Sequence, residues 1–481
     1  TGTLTCNSSA ISLGNNVDDA WSVVVEAGGT FDGGSGTHHL GAVTLNSSSN
    51  QFTFSSGTTN LTGRSSSGNQ YKVFNNFTAG KVTAAGTQVV DQARTPTSIR
   101  CDDTTGINNL TMNSGSGRVL HLEGDLTVGG NLTVSAGTVT TRNHQDNTDN
   151  DLTVTGAADV TGTFTLNNSA VSLGALRCNS GAVLSQSSNG TLELTSATAA
   201  NAAGFGDNYS LKNDDGTSDI NFGGTITVSA GTYFLGGTAP LAASVINNLI
   251  VNDSHYWVGS LTVGGYMTIN ASKHWQTYGS ATGGSRAIKV TGDLTINGQL
   301  TTYKANELDL AAEFGSLTIA SGGTYTATSG TTTITSNTAT GTRSVYNNGG
   351  TFTHNKGTLK IDTGAATNYD FDGDDLYNFT VECEDGSGAL TCDGEASTAV
   401  TVLNNLDIKM GILRTNANSF TIHGNVFVRE TSLTNKNKFV AQGANQTVKG
   451  LITVEDGAFF DMQNQGSGSF GTLTTGGIRV L

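Results

Sequence analysis

The stretch GDLTVGGNLTVSAGTVTT, residues 124–141, says nearly the same thing twice. Leu126-Thr127-Val128 returns as Leu132-Thr133-Val134, with glycines between them. An apolar–Thr–apolar run has the period of two of a strand with one buried face, and Gly or Asn on both flanks makes it a short strand between turns. Related phrases recur as DLTVTG, GTITVSAGT, GSLTVGG, GDLTING and GSLTIASGGT. Strands this short bury little alone. Stacked as successive coils, each covers the apolar face of its neighbours and the core becomes continuous.

A longer module overlies the phrase. FNNFTAG (74–80), INNLTMN (107–113), INNLIVN (246–252), LYNFTVE (376–382) and LNNLDIK (403–409) share an apolar–Asn–Asn–apolar core, with Tyr377 in place of the first Asn once. GGTF stands at 28–31 and again at 349–352. Asn and Gly tolerate the left-handed backbone of tight corners, and stacked Asn amides are placed to bond from one coil to the next. The step between phrases is irregular: Leu126 to Leu152 is 26 residues, Leu261 to Leu294 is 33 and Leu294 to Leu317 is 23.

The composition fits. Gly numbers 64 of 481 residues, Pro only two (Pro96 and Pro240), and charged residues are 13%. Proline would remove ladder donors. Thr, Val and Ile in alternation argue against disorder, which favours Pro, Glu and Lys. The expected fold is all-β: a right-handed parallel β-helix or β-solenoid with irregular coils, spanning 1–481 as a single elongated domain. Loop interruptions are expected near 141–152 (TRNHQDNTDNDL) and 211–219 (LKNDDGTSD). Tandem β-sandwich domains are the competing fold. The solenoid reading points Leu126, Val128, Leu132, Val134, Leu261, Val263, Leu294, Ile296, Leu317 and Ile319 inward. Only 305–315, ANELDLAAEFG, reads as a helical turn or two.

The net charge of −15 disfavours nucleic acid as a partner. No run of eighteen apolar residues marks a membrane span, and no signal peptide is visible. The first residue, Thr1, suggests a processed or truncated N-terminus. Five widely spaced cysteines make no disulfide framework and no zinc-ligand pattern. Two readings of Cys383 and Cys392 stand: a disulfide across the DGSG turn between them, or two small inward-facing residues.

Phrases such as GDLTVGGNLTVSAGTVTT (124–141) and NNGGTFTHNKGTLKIDTG (347–364) resemble the repetitive β-solenoid stretches of structural proteins on phage and environmental-virus surfaces, such as fibres and appendages. They resemble more weakly the secreted bacterial adhesins of the filamentous-haemagglutinin type. The resemblance covers most of the chain and implies an extracellular or virion-surface structural role. It carries over no catalytic residue.

Candidate chemistry is sparse. The acids at Asp18-Asp19, Asp102-Asp103, Asp214-Asp215 and in NYDFDGDDLYN (368–378) sit beside turn residues and read as solvated turn acids. Glycoside hydrolysis needs a placed carboxylate pair, and the 23 basic residues are spread over the chain and are not expected to cluster with the acids. Asp370, Asp372 and Asp374 form a weak calcium candidate without the Gly and Glu positions of an EF-hand loop; HQDNTDND (144–151) is another. His255, Tyr256, Trp257, His274 and Trp275 form an aromatic group, the two Trp 18 residues apart. Its three readings are core packing, a subunit contact and a glycan platform. His38, His39, His121, His354 and His423 are scattered and read as surface or ladder residues. No Gly-x-Ser-x-Gly or phosphate-loop motif stands in its required context. Some Asn-x-Ser/Thr sequons, such as Asn60 and Asn445, permit glycosylation.

The expected function is therefore that of a non-enzymatic extracellular structural protein. Its expected partners are itself, other surface or virion proteins, and glycans, with no cofactor. The runner-up is a carbohydrate-binding or carbohydrate-cleaving β-helix, such as a receptor-binding spike, or a bacterial adhesin.

Overall fold

The computed structural model describes residues 2–13, 21–65, 71–103, 106–196, 209–214, 218–231, 233–236, 245–257, 260–277, 287–302, 311–339, 342–383, 391–394, 399–416, 418–430, 436–442, 444–463 and 471–481. Among these the chain is all-β and contains no helix. It divides into two compact units, Thr1–Asn247 and Asn248–Leu481.

In the first unit, a strand pairs in parallel with one on the next coil. Leu110 stands opposite Leu132, Leu132 opposite Ala158, Ala158 opposite Leu176 and Leu176 opposite Leu211. All five are buried. One residue further along, Thr111, Thr133, Asp159, Arg177 and Lys212 line up on the partly exposed side. A separate four-stranded sheet carries Leu4, Phe31, Phe52 and Val82 in one row. The Phe31 and Phe52 rings stack in it at 4.8 Å.

The second unit repeats the scheme. Leu359, Phe379, Leu406, Val426, Ile452 and Ile478 form one row across six parallel strands. Beside it run Lys360, Thr380, Asp407, Phe427, Thr453 and Arg479. The ten positions expected to face inward are all buried. Each buried Leu, Val or Ile contributes about 1.5–3 kcal/mol of burial free energy. Sandwich domains would show antiparallel hairpins between consecutive strands. Here the antiparallel contacts among the described residues are the isolated bridges Ser65–Lys72, Arg142–Asp149 and Ala339–Arg343.

Two local expectations change. Of 305–315, residues 305–310 lie outside the described residues, and Ala312–Ile319 is a strand, not a helix. Ala312 and Phe314 pair with Ile288 and Val290 of the neighbouring coil, and this pairing overrides the local helical preference of an Ala- and Glu-rich run. Near 211–219, Tyr209–Asn213 is a strand, a new strand begins at Asp219, and 215–217 lie outside the described residues. The segment between Thr138–Thr140 and Leu152–Val160 leaves the strands and folds back through the Arg142–Asp149 bridge.

The Asn-Asn step makes a rung. Asn131 N donates to Asn109 Oδ1 (2.8 Å), and Ala157 N to Asn131 Oδ1 (2.9 Å). In the second unit Asn405 N donates to Asn378 Oδ1 (3.3 Å), Asn425 N to Asn405 Oδ1 (2.9 Å) and Leu451 N to Asn425 Oδ1 (2.9 Å). Tyr266 N does the same with Asn248 Oδ1 (3.1 Å). A glycine precedes several of these donors, because the Asn of the coil before lies against it. A Cβ on Gly130 would stand 2.2 Å from Asn109 Oδ1, and one on Gly424 would stand 2.4 Å from Asn404 O. The adjacent Gly129 has only Ile107 O within reach, at 3.6 Å.

The two glycines of the phrase VGGN therefore have different jobs. Gly130→Ala is expected to destabilise the first unit by about 1–3 kcal/mol through overpacking. Gly129→Ala is expected to be neutral or stabilising, by up to about 1 kcal/mol, because it narrows the unfolded ensemble. Chemical denaturation of both variants checks this; equal effects would disprove the rung geometry.

Candidate functional site

His255 and the two tryptophans of the aromatic group lie in the core, while Tyr256 and His274 are half-buried. Trp257 and Trp275 are both 0% exposed and stack at 6.2 Å with 12° between ring planes. Neither can serve as a platform for a glycan or a second subunit. The cause is strand geometry. His255 and Trp257 are two apart in His255–Trp257 and point the same way, inward, while Tyr256 between them is half-buried. The neighbouring strand sets His255 opposite Trp275, so the indoles meet on a diagonal. His255 is buried and packs 5.9 Å from the Trp275 ring. His274 faces the other way, bonds Thr301 Oγ1 at 2.8 Å, and has its basicity lowered by burial.

The acids of 370–375 hold a turn together. Asp370 accepts from Asp372 N at 3.0 Å. Asp372 and Gly373 take positive φ, 50° and 85°. Asp374 accepts from Phe352 N (2.6 Å) and Asn347 Nδ2 (2.7 Å), tying the turn to the coil before. Burial, with Asp372 and Asp375 close by, pushes the Asp374 carboxyl above its usual range. In the other weak calcium candidate, Asp149 is paired with Arg142 (2.9 Å), Asp146 accepts from Thr148, and the His144 ring lies between Tyr71 and His121. Among the described residues no group of three His, Cys, Asp or Glu is arranged to hold a metal ion. Cys383 and Cys392 are both buried.

Sequence reading missed the charge pairing. Basic residues do cluster with acids, some of them two residues apart in sequence, as Arg100 and Asp102, and others 20 or more apart that coil stacking brings together. In the first unit, Lys72 pairs with Glu123 at 3.1 Å, their side chains 5% and 4% exposed. Arg100 grips Asp102 with two bonds, 2.8 and 2.9 Å. Beside them opens a cleft of about 550 Å³, lined by Arg100, Asp102, Asp103, Glu123 and Asp125, with Asp146 of the 141–151 segment on one wall. Glu123 Oε1 has no hydrogen-bond partner.

In the second unit, Lys360 joins Asp362 and Glu382, Lys409 joins Glu382, and Arg429 joins Asp407 and Glu455. These flank a shallow groove of about 360 Å³ that also carries Asn378 and Phe427. The Arg429 guanidinium lies 4.4 Å over the Phe427 ring. The only sequence signal was the coil step itself, 22 residues from Asp407 to Arg429 and 26 from Arg429 to Glu455. Comparison with protein-family models, curated proteins and solved structures finds no match.

Proposed function

We propose that the chain is a non-enzymatic structural protein of an extracellular surface, a virion fibre, appendage or decoration or a surface filament, each unit built as a right-handed parallel β-solenoid. One observation carries this reading: the polar side chains are spent on joining one coil to the next. The Asn rungs, the Asp374 turn and the Lys360–Glu382 and Arg429–Asp407 pairs bond across coils. An active site would instead hold polar groups unpaired and convergent on a substrate.

Self-association follows from the same architecture. A charged fraction of 13% and rows of half-buried Thr such as Thr268, Thr295 and Thr318 suit side-by-side packing of copies. Light scattering at micromolar concentration is expected to find a species above 49.3 kDa. A strictly monomeric wild type would overturn the assembly proposal.

The cleft at Asp102 and Glu123 gives the carbohydrate-cleaving alternative its one supporting observation. Incubation with acidic and neutral polysaccharides decides between them. The structural reading expects no reducing ends and no unsaturated products. Turnover lost in Glu123→Gln would put the alternative first.

A further inference from the structure

Cys383 and Cys392 meet at one tight corner of the second unit. Cys383 follows the strand Asn378–Glu382, and its N–H donates to Met410 O at 3.0 Å. Cys392 lies in Thr391–Gly394, in register with Leu413 on one side and Thr367 on the other. On the adjoining coil, Met410 and Leu413 are only three residues apart, and Gly411 turns the corner between them at φ 106°. The two cysteines stacked on that corner therefore face each other across it. Both are 0% exposed free thiols, close enough for each to shift the ionisation of the other. Thr363 Oγ1 donates to Cys383 Sγ at 3.5 Å from the coil before.

We propose that Cys383 and Cys392 are a built disulfide site that closes when the protein meets a peroxide. The site is selective. The nearby Cys392, helped by the Thr363 hydroxyl, draws the Cys383 thiol down, while burial and the neighbouring sulfur hold the Cys392 thiol well above its usual range. Burial also pushes Cys101 up to about 11 and Cys178 up to about 12, and it raises Cys6. Thiolate is the reactive form, so Cys383 reacts first.

The Cys383 thiolate attacks one oxygen of hydrogen peroxide, the O–O bond breaks, and hydroxide leaves a sulfenic acid on Cys383. Cys392 gives its proton to that hydroxide, forming water. Its thiolate then attacks the Cys383 sulfur and expels the second hydroxide, which leaves as water after taking up the proton that Cys383 had released. Two thiols are oxidised to one disulfide, and peroxide is reduced to two waters.

The test uses the full chain, purified in reductant, desalted and exposed to hydrogen peroxide. After unfolding in denaturant, titratable thiols should fall from five to three. A peptide pair joining residues 383 and 392 should appear, lighter than the reduced peptides by two hydrogen atoms. In Cys392→Ala, a sulfenic-acid trap should label Cys383 and leave Cys6, Cys101 and Cys178 unlabelled. Five thiols surviving in oxidised wild type would overturn the proposal. So would a disulfide joining any other pair, or trapping at a different cysteine. The wild-type titration decides the matter even where a variant fails to fold.

Discussion

Replacing Leu294 by Asp is expected to leave the second unit unfolded. Leu294 is 0% exposed and sits in register between Met267 and Leu317, both fully buried. An unpaired carboxylate there costs more than about 4 kcal/mol. That is a large part of a total stability on the order of 5–15 kcal/mol. The adjacent Thr295 stands between Thr268 and Thr318 on the half-exposed side, so Thr295→Asp should change stability by less than about 1 kcal/mol. Circular dichroism and thermal melting separate the two. A soluble Leu294→Asp variant with a cooperative melt would contradict the inward assignment of this face.

Trp257→Ala is expected to lower the stability of the second unit by about 3–5 kcal/mol, the range for deleting a large aromatic from a packed core. It should leave association unchanged, because the ring is wholly covered. Trp257 Nε1 has no hydrogen-bond partner, so Trp257→Phe loses packing but no bond and should cost clearly less. Denaturant unfolding together with light scattering checks both expectations. A Trp257→Ala chain of native stability that no longer associates would put the indole back at an interface.

The inward face was legible because Leu-Thr-Val states its own parity: with a period of two, each phrase declares which residues are buried. The Asn-Asn step was legible as a corner, since the residue types announce it, but its rung partners lie 18 to 27 residues on, at irregular steps. The same irregularity hid the ion pairs. Nothing near Lys72 in sequence points to Glu123, and nothing near Arg429 points to Asp407. The aromatic group was left with three readings for another reason. His255-Tyr256-Trp257 places three large residues in a row, and alternation alone does not say which of them face the core. Ala312–Ile319 shows register with a neighbour overriding local helix preference.

The most direct test measures the rungs themselves. Lys360, Thr380, Asp407, Phe427, Thr453 and Arg479 occupy successive parallel strands in one row beside the core-facing one, with Thr380 and Thr453 largely covered by their neighbours. With neighbouring strands about 4.8 Å apart, backbone separations from Lys360 should be about 14 Å to Phe427, about 19 Å to Thr453 and about 24 Å to Arg479. Spin labels placed pairwise at these positions, read by pulsed dipolar spectroscopy, report the distances in solution. Stacked coils predict an even rise of one strand spacing per rung. Distances that do not grow in rung order, or that jump by the width of a separate domain, would contradict the coil-on-coil stacking on which the structural role rests.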